Sequence, residues 1–282
     1  MVVSDAELTS LAATHDIIAI GIRADELRRS RHGSRTTFVR VAEVSAEPGS
    51  PLAFPAAAGE LRIAGVPATR SAAVSRVAEA SRAASGVPLS AFSLADLEEL
   101  AGRERITLRA LLEELRAAGL ELVSEAPFDR LRDAKRSIEE VNIAGLALAR
   151  LTIDRLGSTD LPTLLAQVAT LQRDVAVIRS FAPLPRRVNP AVPTTGYEDV
   201  KRVALARLWV DVPSIQVDWS LYGPKLAQVA LTVGADDVDA VSPLDDLSAG
   251  PRRTALEEIR RNIRAAGMEP VERNGRFEPL TR

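Results

Sequence analysis

Hydrophobic and polar positions along the chain switch repeatedly between a helical and a strand period. Leu8, Leu11 and Ala12 share one helical face, and Ile17, Ile20, Ala24 and Leu27 recur at helical spacing behind Asp16, whose short acceptor side chain suits an N-cap. The β-branched run Thr36–Val44 is strand one, followed by the Pro/Gly/Ser-rich loop SAEPGSPLAFPAAAG. Glu60–Ile63 is strand two, Thr69–Ser85 an amphipathic helix, and Val87–Phe92 strand three, with Ser93 capping the helix Leu94–Ala101. Thr107–Ala118 is helical and stopped by Gly119, Leu120–Val123 is strand four, and Phe128–Ala134 and Ser137–Ala144 read as helices. Leu146–Ile153 is strand five, Leu161–Arg173 a helix approached through Ser158-Thr159-Asp160, and Val175–Phe181 strand six. The long helix Thr194–Val210 precedes strand seven, Ser214–Trp219. A turn at Gly223-Pro224, the helix Lys225–Val233, the acidic turn Gly234–Asp239, strand eight at Asp237–Val241 and a closing helix Pro251–Ala266 complete the pattern.

Eight strands separated by helices through mostly short loops predict an α/β fold, a (β/α)8 TIM-type barrel with an N-terminal helical extension, with a doubly wound sheet as the alternative. The 282 residues match the roughly 250 that such a barrel needs. The predicted division is 1–34 for the leading helices, 35–250 for the barrel and 251–282 for the closing helix and tail, all one domain. With 46% hydrophobic but only 4% aromatic residues, the core must be built from Ala, Val, Leu and Ile, as parallel strands covered on both faces require. A formal charge of −2 gives no surplus to hold phosphate backbones or anionic lipid. Nucleic acid and membrane are therefore not expected partners, and no apolar run reaches the ~20 residues of a span. The start, MVVSDAEL, lacks the basic-then-apolar pattern of a signal peptide, so a cytoplasmic location is expected. Phosphate-loop, nucleophile-elbow and zincin motifs do not occur. With no Cys at all thiolate chemistry is excluded, and with only His15 and His32 as imidazoles a His-rich metal site is not expected.

The stretch Arg207–Val241, RLWVDVPSIQVDWSLYGPKLAQVALTVGADDVDAV, resembles the radical-SAM enzymes of the futalosine route to menaquinone, above all aminodeoxyfutalosine synthase. Matching segments lie in the same order: DIIAIGIRADELRRSRHG at Asp16–Gly33, RSFAPLP at Arg179–Pro185, the helix Thr194–Leu208, and AAGMEPVERN at Ala265–Asn274. The resemblance is weak between Val44 and Arg150. In that family a CxxxCxxC loop after strand one gives three thiolates to an iron–sulfur cluster that binds S-adenosylmethionine. Here the corresponding loop, Ser45–Ala58, has no Cys, so the cluster has no ligands. The Gly-rich exits of strands two and four are replaced by Ala64-Gly65-Val66-Pro67 and Ser124-Glu125-Ala126-Pro127. The resemblance thus implies a radical-SAM-like barrel without its cluster.

Several residues are candidates for what remains. Asp236, Asp237 and Asp239 are placed at the C-terminal end of a strand, where barrel enzymes keep active groups, against the plainer reading of a turn cap and a salt bridge. Asp218, Asp237 and Asp239 are the acid or base candidates for cofactor-free lyase or hydrolase work. Trp219 could stack on a nucleobase or fill the mouth, and Gly65 and Asp236 are ligand-binding candidates beside it. Arg40 on strand one needs a carboxylate, for which Glu43 or Asp218 is available, and its bridge would stand in for the lost cofactor. Glu272 and Arg273 read as an ion pair pinning the last helix, Gln228 as an inward polar group satisfying backbone, and His32 as a loop histidine. The expected partner is a cluster-bearing paralogous enzyme. The alternative is a nucleoside-type small molecule, S-adenosylmethionine or a futalosine-like compound.

Overall fold

The computed structural model describes residues 5–157, 159–187, 194–245, 247–248, 250 and 254–281. Two helices lead, α1 (Asp5–Ala13) and α2 (Ile17–His32), the second capped by Asp16, which accepts from the Ala19 amide at 3.0 Å. The strands are β1 (Arg35–Ser45), β2 (Glu60–Ala64), β3 (Leu89–Ser93), β4 (Leu122–Pro127), β5 (Ala147–Leu148), β6 (Leu151–Ile153), β7 (Ser180–Pro185), β8 (Ser214–Asp218), β9 (Asp237–Val241) and β10 (Glu269–Arg273). Between them run α3 (Arg70–Ala84), α4 (Leu94–Glu104), α5 (Leu108–Ala117), α6 (Ala134–Ile143), α7 (Leu161–Val175), α8 (Gly196–Trp209), α9 (Trp219–Leu231) and α10 (Ala255–Ala265). Pairing is parallel throughout, from β1 through β2, β3, β4, β6, β7, β8 and β9, and β9 pairs back to β1. That closure makes a TIM-type barrel, with β5 and β6 sharing one of its eight positions.

The strand sequences explain the barrel's unusual interior. In β2, Leu61 and Ile63 alternate with Glu60 and Arg62. In β8, Ile215 and Val217 alternate with Gln216 and Asp218, and in β9, Val238 lies between Asp237 and Asp239. Because side chains alternate between faces, the apolar set of each strand packs outward under the helices while the polar set points into the barrel. All of these side chains are buried. A buried polar set of this size is tolerable only if its members satisfy one another.

The structure moves several predicted boundaries. β4 extends to Pro127, so Ser124-Glu125-Ala126-Pro127 lies within the strand rather than beyond it. Residues 128–133 form turns instead of a helix, because Asp133 caps α6 by accepting from the Arg136 amide at 3.0 Å. Strand five breaks into β5 and β6, and strand six starts only at Ser180, since Val175 still belongs to α7. Ser93 stands at the N-cap of α4 but its side chain makes no capping bond. Asp218, not Trp219, ends β8: its side chain accepts from the Leu221 amide at 2.9 Å and starts α9, which kinks at Gly223 (φ 73°) before Pro224. β10 was not foreseen. It pairs with the lower half of β1, Arg35–Val39, below β2. Pro251, the expected start of the closing helix, and Ser158 lie outside the described residues.

Candidate functional site

Polar side chains fill the barrel in two layers. In the upper layer Asp239 is the hub. It accepts from Nη1 and Nη2 of Arg62, both at 3.0 Å, and from Nη1 of Arg150, so guanidinium groups from β2 and from the β5–β6 junction meet on one strand across the barrel. Arg62 also donates through Nε to Glu60 at 2.9 Å, and the Ser90 hydroxyl donates to the same carboxylate at 2.6 Å. Beside this hub, Arg186 donates to Asp218 at 2.5 Å. The Glu125 carboxylate stands 3.3 Å from Arg186 Nε and 3.8 Å from Arg150 Nη2. Paired guanidinium–carboxylate forks of this kind are strong and directional.

The lower layer centres on Asp237. Arg273, from β10, donates to both of its oxygens at 2.6 Å, Gln216 donates at 2.7 Å and Thr37 at 2.5 Å. The Arg273 guanidinium lies 3.9 Å from the centroid of the Phe277 ring. Beneath the barrel Asp236 receives Arg207, the Ser214 hydroxyl (2.9 Å) and the Ile215 amide (2.8 Å), while His32 Nε2 donates to the Pro213 carbonyl oxygen at 2.9 Å.

The electrostatics set what these groups can do. Burial alone would raise the Asp239 carboxyl, but Arg150 and Arg62 overcome it and hold it well below the usual carboxylate range. Asp218 follows the same logic: burial and Asp239 push it up, yet Arg186 and Arg150 leave it lowered. Burial, together with the neighbouring Arg62 charge, pulls the Arg150 guanidinium below its ordinary value. A carboxylate clamped in this way is a poor proton carrier near neutral pH, where a general base needs a value close to the working pH.

Several candidate residues are placed differently from their prediction. Asp237 opens β9 and Asp236 immediately precedes it, so both lie at the strand's N-terminal end and not at its C-terminal end. Of the three acids proposed for catalysis, only Asp218 and Asp239 lie in the upper layer. Arg40 points out of the barrel: its Nε donates to Glu272 at 2.9 Å and its Nη1 to Asp245 at 3.1 Å, so neither Glu43 nor Asp218 is its partner. Glu272 and Arg273 do not pair with each other, since neighbours on a strand face opposite sides. Trp219 is partly buried against the core, Gly65 is exposed at the end of β2 with φ 106°, and Gln228 is half-buried on a helix whose buried face is Ala227, Ala230 and Leu231. Sequence reasoning missed Glu60, Arg62, Glu125, Arg150 and Arg186. Two of them carry a signal in the sequence: Glu60 and Arg62 alternate with Leu61 and Ile63, which leaves one face of the strand charged.

An iron–sulfur cluster, which the radical-SAM resemblance implies, does not fit these residues. Its irons need thiolates, the chain has none, and the loop from Ala46 to Gly59 between β1 and β2 offers no substitute set. Among the described residues no group of three His, Asp or Glu side chains could hold a metal ion.

Strand order and closure define a TIM-type barrel, and the chain contains no thiolate. Methylornithine synthase shares the fold, with a TM-score of 0.68 at 14% identity over 96% of this chain and 94% of that one. Residues 181–282 match the family model described as the CofH/MqnC C-terminal region. The chain is a distant homologue of aminodeoxyfutalosine synthase: the Thermus thermophilus enzyme is 28% identical over 228 residues, 69% of this chain and 61% of that one. The Streptomyces coelicolor aminodeoxyfutalosine synthase is 40% identical over 94 residues, 30% of this chain and 24% of that one. The chain thus spans about three fifths of the Thermus enzyme's length, at 61%. No helix among the described residues is long and apolar enough to cross a membrane.

Proposed function

We infer that this chain acts in menaquinone formation by the futalosine route as a non-radical partner or regulator of a Cys-bearing enzyme of the aminodeoxyfutalosine synthase type. One observation carries the reading. The barrel architecture is retained, yet the chain has no Cys and its interior is cross-linked by the Arg62–Asp239–Arg150 network. A barrel that keeps its form after losing the donors for its chemistry is under a requirement of shape, and shape serves binding. The competing reading, cofactor-free lyase or hydrolase work by Asp218, Asp237 or Asp239, is weakened by the ion pairs that hold all three.

The test is to add the purified chain, in increasing ratio, to the Cys-bearing enzyme and to follow turnover. A saturating change in rate at about one chain per enzyme supports the role. Turnover of futalosine-type compounds by the chain alone, abolished by Asp218→Asn, would instead establish the enzymatic reading.

A further inference from the structure

The barrel wall is incomplete near its N-terminal end, and the gap forms a cavity. β6 pairs with β7 from Leu151↔Phe181 upward, and β5 pairs only with β4. Continuing the β6–β7 register downward would set Leu148 beside Ile178 and Ala147 beside Val177, but those rungs are missing. All four residues instead line a cavity of 340 Å³, at the small end of the roughly 300–1,000 Å³ range of ligand sites.

The polar groups at this gap are specific. The amides of Ala147 and Ala149 donate to the carbonyls of Glu121, just before β4, and Val123 on β4, at 3.1 and 2.9 Å. Alternation therefore turns the Leu148 N–H and C=O toward the gap, where β5 has no strand partner. On the opposite side the Gln172 side chain takes the place of a strand for Ile178, accepting from its amide at 3.2 Å and donating to its carbonyl at 3.3 Å. The Leu148 amide on the β5 side has no such substitute among the described residues. Among the described lining residues Arg179 is the one charged group, exposed at the rim and spending one donor on the Arg276 carbonyl at 3.2 Å.

We propose that this cavity is a binding site for a small apolar carboxylate. Its body fills the space between Leu148, Val177 and Ile178, and its carboxylate accepts from the Leu148 amide and Arg179. The chemistry follows from what the cavity offers: an apolar body, an amide donor that would otherwise stay unpaired, and one cation. The site lies at the end of the barrel opposite the Asp239 network and does not depend on the role inferred above.

Benzoate is the probe and benzyl alcohol its neutral counterpart, titrated into the full-length protein while backbone amide resonances are followed. Benzoate is expected to shift the Leu148 and Ile178 amides saturably, with a dissociation constant on the order of 1 mM. Benzyl alcohol and the Arg179→Met variant should each bind about ten-fold more weakly, the loss of one charge-assisted contact. Ala147→Phe should abolish binding by filling the cavity, and Val177→Trp serves the same purpose if Ala147→Phe does not fold. The proposal is overturned by an unshifted Leu148 amide, by equal affinity for benzyl alcohol, or by benzoate binding that survives the filling variant.

Discussion

Replacing Asp239 with Asn isolates the hub of the upper layer. The substitution keeps size and shape but removes the charge that two buried guanidinium groups share. Arg62 retains Glu60 at 2.9 Å, whereas Arg150 is left with only Glu125 at 3.8 Å, beyond hydrogen-bonding reach. Removing one member of a buried pair costs about 3–5 kcal/mol, because the remaining charge stays out of water without compensation. For a chain of this size that corresponds to a fall in melting temperature of about 10 °C. Arg150→Met should cost roughly half as much, since Asp239 keeps its two 3.0 Å bonds to Arg62 and a flexible apolar side chain fills the space. Thermal unfolding followed by circular dichroism, with urea titration as a second measure, reads both values. A loss below about 1 kcal/mol for Asp239→Asn, or a larger loss for Arg150→Met, would refute the hub assignment.

Other predictions concern pH, backbone and metal. Asp239 and Asp218 are both held below the ordinary carboxylate value, so the stability they contribute is complete above about pH 4 and lost as pH falls toward their folded values. Urea midpoints should therefore decline progressively as pH falls below about 4, and Asp239→Asn should flatten that decline. An unchanged slope in the variant would count against the assignment. Gly234→Ala should cost about 2–4 kcal/mol, since Gly234 has φ 118° and a Cβ there would meet Arg207 Cβ at 2.8 Å. A variant of wild-type stability would show that the chain relaxes around it. Anaerobic incubation with iron and sulfide should leave the protein without the visible absorption of a thiolate-bound cluster, which a persistent brown colour after desalting would contradict.

The sequence patterns that proved readable were those set by local rules. Asp16, Thr69, Thr107 and Asp160 cap the helices they were expected to begin or precede, and Gly119 takes the positive φ of a helix end. Strand boundaries failed where tertiary contacts decide them. Leu146–Ile153 reads as one apolar run, but the break between β5 and β6 falls where Arg150 reaches Asp239 from the far side of the barrel. The same long-range cause hid the site. A salt bridge at Asp237 is the plainer reading of the sequence and the structure has one, but its partner Arg273 on an unforeseen β10 and the convergence of Arg62 and Arg150 on Asp239 have no local signal. Arg40, a cation on a barrel strand, needs a carboxylate and has two. Its partners come from Glu272 and Asp245, more than two hundred residues away along the chain at separations of 232 and 205, which no local pattern announces.

The central claim is that the retained barrel serves association rather than radical chemistry. Size-exclusion chromatography with light scattering, on an equimolar mixture of this chain and the Cys-bearing aminodeoxyfutalosine synthase-type enzyme from the same cell, tests it most directly. The account predicts a single peak containing both proteins at their summed mass. Two independent peaks, each at the mass of one protein alone across the working concentration range, would contradict it.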